Sequence, residues 1–217
     1  MNHKELQLLI EEGEGFELEF KRKITSPEKI ARTLSAFANT KGGTILFGVD
    51  DNGFIIGVES EKTELDLITH SGEYYCVPPV QLAVEIIPFH EKDVIAVFVE
   101  ESNQKPHAVK SDNEDEEKIY IRVNANTVLA SKEVIKVLRD ENKETPLILS
   151  IGENEKRLFE YLEKNEKIIV TEYAKLINVS QRRASRILTT LVRSGVIRIH
   201  TLEKTDYFTL ASDEKVS

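Results

Sequence analysis

The chain has 217 residues, 40% of them hydrophobic, a single cysteine and a net charge of −9. That length allows one large domain or a medium one plus a small one, and one cysteine excludes an internal disulfide and any zinc site built from paired cysteines. No stretch approaches the roughly 18 apolar residues of a membrane span, and "MNHKELQLLIEEGEG" lacks an apolar signal region, so a cytoplasmic protein with no membrane partner is expected.

In chain order, residues 2–12 read as a helix with Leu6, Leu9 and Ile10 on one side. "GEGFELEFKRK" alternates, with Phe16, Leu18 and Phe20 on one face and Glu17, Glu19 and Lys21 on the other, the pattern of a half-buried strand. "TSPEKIARTLSAFANT" is a helix: Ser26 caps it, Pro27 suits the first helical position, Glu28 suits the first turn, and Ile30, Leu34 and Phe37 form its apolar stripe. Gly42 and Gly43 then turn the chain into "TILFGV", and "DDNG" predicts a tight hairpin to "FIIGV". Residues 61–75 read as helical, and "VQLAVEIIPF" and "DVIAVFVEE" as a second hairpin around "HEK". Five carboxylates in "SDNEDEE", 111–117, read as a solvated loop before the strand "KIYIRV". "SKEVIKVLRDEN", capped by Ser131, closes a domain over 1–142 of α+β class, a mixed sheet with hairpins and flanking helices.

"NKETPLILSIGEN" has no clear period, which places a linker at 143–152. Helices at 153–165, 171–177 and 180–194 precede the strands "VIRIHT" and "DYFTL", the order of a winged helix-turn-helix over 153–211 with a tail at 212–217. Charge divides along the same line. Residues 143–217 carry 13 basic and 11 acidic side chains, net +2, and residues 1–142 carry 16 and 27, net −11.

The third C-terminal helix carries the sharpest functional signal. Ala184, Ile187, Leu188 and Leu191 make one apolar face, while Arg182, Arg186, Thr189 and Arg193 fall within about 40° of the opposite direction. Between Asn178 and His200 there are five arginines and no carboxylate. The arginine fork suits a phosphate or a guanine edge. Arg182, Arg183, Arg186, Thr189 and Arg193, with Arg198 on the following strand, are therefore the candidate nucleic-acid contacts, a protein-binding or solvated face being the alternative. A second basic patch, Lys21, Arg22, Lys23 and Lys41 with Lys29 and Arg32, is opposed only by Glu28 and reads either as backbone contact or as solvated surface.

"NTKGGTILFGVDDNG" does not follow the phosphate-loop pattern, since its glycines follow a helix and precede a strand. The five histidines show no ligand spacing, and Cys76 reads as a small buried residue. "ELEFKRK", "SAFANTKGG", "TILFGVDDNGFIIGV" and the later "YIRVNANTVLAS" together resemble the Schlafen AlbA-like domain, also called a divergent AAA domain, over roughly 8–140. The resemblance implies an α+β fold and a DNA- or RNA-binding role. Bacterial members with a winged-helix tail are described as transcriptional regulators or helicase-related proteins. The family also includes endoribonucleases whose acidic triad matches Glu14, Glu19 and Asp51, with Lys21 nearby; such a triad would hold Mg2+ or Mn2+. No cofactor is expected outside that nuclease reading. One copy of the lobe separates this chain from those nucleases, and a homodimer would restore the second. The expectation that stands first is a homodimeric DNA-binding transcriptional regulator, with the metal-dependent nuclease second.

Overall fold

The computed structural model describes residues 1–111, 114–141, 151–202 and 205–211. The tail expected at 212–217 and all but the last two residues of the linker expected at 143–152 lie outside them. The chain divides into two compact units, Met1–Ala130 and Ser131–Ser217.

The first unit opens with helix α1 (His3–Glu12), whose cap Asn2 accepts from the Lys4 and Glu5 amides. Strand β1 (Leu18–Lys21) leads into helix α2 (Pro27–Ala38), with the Ser26 hydroxyl accepting from the Lys29 amide as the sequence signals predict. Strand β2 (Gly43–Phe47) then returns parallel to β1, Leu18 opposite Thr44 and Lys21 opposite Phe47. Gly42 holds φ +77° in the left-handed region, and a Cβ on Gly43 would sit 2.4 Å from the Phe37 ring, so this corner requires both glycines.

The expected hairpin around "DDNG" shrinks to one bridge, Val49 to Ile55. Both edges of β2 are already occupied, by β1 and by β5 (Lys92–Val99), and residues 54–58 have no strand edge to join. The second expected hairpin is present as β4 (Ala83–Phe89) against β5, completing a four-stranded sheet in the order β1-β2-β5-β4. Residues 61–75 form helix α3 (Glu61–His70) and one π-helical turn, Ser71–Tyr75. A second sheet orders β3 (Cys76–Val77), β6 (Ala108–Ser111), β7 (Glu114–Val123) and β8 (Asn126–Leu129). The acidic segment expected as a loop is thus mostly strand, β7 beginning at Glu114.

Alternation along the first sheet sorts its two faces. Ile45, Phe47, Ile95 and Val97 pack with Ile30, Leu34 and Phe37 of α2, and with Val109 and Tyr120 of the second sheet. Leu18, Phe20, Leu46 and Val94 pack on the other side with Leu6 of α1. Each such buried side chain contributes about 1.5–3 kcal/mol, so α2, held between the two sheets, is the centre of the unit. Asn39 at its end fixes the second sheet, donating to the carbonyls of His107 at 2.8 Å and Tyr120 at 2.9 Å. Cys76 is buried, and burial pushes its thiol up to about 12, an unreactive group.

The second unit begins with helix α4 (Lys132–Glu141), which the sequence reading assigned to the first. It belongs here because it packs along a later helix. Helices α5 (Glu153–Asn165), α6 (Val170–Leu176) and α7 (Gln181–Arg193) are followed by strands β9 (Ile197–His200) and β10 (Tyr207–Leu210), paired antiparallel. Leu158, Leu162, Tyr173, Ala184, Leu188, Leu191 and Phe208 form the core. Asn178, at φ 54°, makes the corner between α6 and α7, and the Val179 amide donates to the Ala174 carbonyl at 3.0 Å.

Candidate nucleic-acid interface

Helix α7 starts at Ser180, whose hydroxyl accepts from the Arg183 amide at 3.3 Å. Its core-facing residues Ala184, Leu188 and Leu191 fix its rotation, which sends Arg182, Arg183 and Arg186 into solvent. None of these three forms an ion pair among the described residues. Arg198 on β9 is exposed too.

The rest of the expected basic face is covered. Thr189 is buried, its hydroxyl donating back along the helix to the carbonyls of Ser185 at 2.9 Å and Arg186 at 3.0 Å. Arg193 pairs with Asp140 of α4 at 3.4 Å. On the same flank Lys136 donates to the Ser185 hydroxyl at 2.6 Å, and that hydroxyl donates to Glu133 at 2.7 Å. Helix α4 therefore occupies one flank of α7, through Ser185, Thr189 and Arg193, and leaves the arginines of its first half open. The helical angle alone could not distinguish the two flanks, because the covering helix lies more than forty residues upstream in sequence.

In the first unit the basic patch divides. The Lys21 ammonium pairs with Glu19. Arg32 pairs with Glu28 at 2.5 Å and lies over the Tyr120 ring. Arg22, Lys23 and Lys41 are exposed, but Lys41 precedes β2 whereas Arg22 and Lys23 follow β1. Since the two strands are parallel, these groups lie at opposite ends, separated by about 13 Å of strand.

The three carboxylates of the nuclease reading are not gathered. Glu19, expected on a solvent face, is 7% exposed, because both faces of its sheet are covered and its side of β1 meets α2 and β7. It pairs with Arg122 of β7 and with Lys21, and accepts from Thr33 at 3.2 Å. Arg122 has a fully buried side chain that also donates to the carbonyls of Gly15 at 2.8 Å, Phe16 at 3.3 Å and Ala125 at 2.9 Å, and sits 4.7 Å from the centre of the Phe37 ring. Glu14 is exposed and accepts from the Phe20 amide at 2.8 Å. Asp51 is exposed in the 50–53 turn, where Asp50 is the structural member, accepting from the Asn52 and Phe54 amides. Among the described residues, no three His, Cys, Asp or Glu side chains are placed to hold a metal ion. With Glu19 already neutralised by two cations, these residues do not fit a divalent cation. Arg122 is the residue that the sequence reading missed, and its signal was a charged position inside the otherwise apolar run "IYIRV".

The chain belongs to the Schlafen, AlbA_2 family, whose model matches residues 14–131. Among solved structures it is similar to the DIP2311 protein from Corynebacterium diphtheriae, at 17% identity and a TM-score of 0.44 over 64% of this chain and 30% of that one. It is also similar to the N-terminal domain of a RecG-related protein from Nitrosomonas europaea, at 17% identity and a TM-score of 0.42 over 54% of this chain and 85% of that one. No helix among the described residues is long and apolar enough to cross a membrane.

Proposed function

We propose that this protein is a DNA-binding transcriptional regulator whose C-terminal unit is a winged helix-turn-helix. The order α5, α6, α7, β9, β10 supports that reading. The observation that carries it is the group of exposed arginines, Arg182, Arg183 and Arg186, at the start of α7 within a stretch free of carboxylates from 178 to 200. The AlbA_2 domain is consistent with a nucleic-acid-related role, and Arg22, Lys23 and Lys41 would add phosphate contacts rather than sequence readout. The nuclease alternative lacks support from the site, since its three carboxylates are dispersed and Glu19 is the counter-ion of Arg122.

Fluorescence-anisotropy titrations of a duplex by the full-length protein test the proposal at two salt concentrations. The wild type binds with a steep salt dependence, and Arg182→Ala/Arg186→Ala lowers the log–log slope by about two and the affinity by at least about tenfold. An unchanged slope and affinity in that variant would remove α7 from the interface.

A further inference from the structure

A cavity of about 480 Å³ opens in the first unit between the 79–83 segment, the end of β5 and the 100–107 loop. That volume lies in the range of about 300–1,000 Å³ usual for small-molecule sites. One wall is apolar, formed by Val80, Leu82 and Phe98. His107 also lines it, 2% exposed, with Nδ1 2.7 Å from the Pro78 carbonyl and Nε2 2.7 Å from the Ser102 hydroxyl. A carbonyl can only accept, so Nδ1 carries the proton and Nε2 accepts from Ser102. Burial lowers the proton affinity of the ring and keeps it neutral.

This serine–histidine pair has the contact that a nucleophile and its base require. The surroundings argue for a different use. Acyl transfer needs N–H donors where negative charge develops, yet the Gln104 amide already donates to the Ser102 hydroxyl at 3.0 Å, and the rim bears Glu100 and Glu101. Glu101 pairs with Lys105 at 2.5 Å, whereas Glu100 has no ion-pair partner among the described residues. The carbonyl end of α2 also reaches this site: Ala38 lines it, and its carbonyl accepts from the Ser102 amide at 2.9 Å. A helix C-terminus adds partial negative charge. The described lining contains no lysine or arginine.

We propose that this cavity binds a small organic cation, its ammonium or guanidinium group at Glu100 and its apolar body against Leu82 and Phe98. Anionic ligands, nucleotides among them, are opposed by the same carboxylate of Glu100, unpaired among the described residues. The ligand is thus separate from any nucleic acid held at the arginines, and the proposal does not depend on that interface.

The test uses the full-length protein and three probes of one shape: phenethylammonium, 2-phenylethanol and 3-phenylpropionate. Each is titrated while the amide resonances of Leu82, Ser102 and His107 are followed. Phenethylammonium shifts these resonances and binds at least about tenfold more tightly than the alcohol, and the carboxylate leaves them unmoved. Glu100→Gln brings the ammonium down to the affinity of the alcohol without altering the melting temperature. Ala83→Trp, which puts a large ring at an exposed lining position, abolishes both. Equal affinity for the three probes, shifts confined to other residues, or no shift with any probe would each overturn the proposal.

Discussion

Glu19 shows how burial decides what a carboxylate does. Its oxygens face Arg122, Lys21 and Thr33, and Arg122 of β7 in turn donates to the Gly15 and Ala125 carbonyls and to the Thr127 hydroxyl of β8, tying the 15–19 segment to that hairpin. Removing one member of a buried ion pair leaves the other charged and uncompensated, at a cost of about 3–5 kcal/mol. Glu19→Ala is therefore expected to destabilise the fold by that amount. Glu14→Ala, which loses one hydrogen bond to the Phe20 amide, is expected to cost about 1 kcal/mol, and the exposed Asp51→Ala about 0.5 kcal/mol or less. Urea unfolding of the three variants gives the ranking. Three equally small effects would show that Glu19 is not a counter-ion the fold depends on. Loss of any activity in a Glu19 variant is uninformative until its stability is known.

Among the elements, α4 covers one flank of the basic face of α7 and leaves the other exposed. Arg193 lies against Asp140, and Lys136, Glu133 and Ser185 form a hydrogen-bonded set beside it. Arg193→Ala should weaken folding rather than duplex affinity. Asp140→Asn removes the competing charge and lets Arg193 meet a phosphate, which steepens the log–log salt slope of DNA binding by about 0.9. An unaltered slope in that variant would exclude Arg193 from contact. The same two helices show what a sequence can convey. The caps at Ser26, Ser131 and Ser180 are local events, hydroxyl to amide across three residues, and all three were legible. So was the apolar stripe of α2. The parallel pairing of β1 with β2 was not, because it depends on strand edges and not on turn residues, and it displaced a hairpin that "DDNG" strongly suggested. Glu19 and Arg122 lie 103 positions apart, and the Ser102–His107 pair gains its meaning only from Pro78, brought beside it by the fold.

At the scale of the whole molecule, a net charge of −9 has to be reconciled with the proposed DNA contact. The excess of carboxylates lies in residues 1–142, at net −11, and repels a polyanion, so the proposed binding would rest on a local group of arginines. Three exposed arginines on one short helix offer few base contacts. Two copies related by a two-fold axis would double them and add the energy of a second half-site. The expectation is a homodimer, with a mass in sedimentation velocity of about twice the 24.7 kDa of the chain. Its binding site should consist of inverted half-sites whose centres lie about 34 Å apart, one turn of the duplex. Lengthening the spacer by half a turn places the second half-site on the opposite face of the DNA, and affinity should fall to that of a single half-site. A monomer in sedimentation that binds DNA with no dependence on spacing would show instead that one copy of α7 suffices, and specificity would then have to come from contacts of the first unit through Arg22, Lys23 or Lys41.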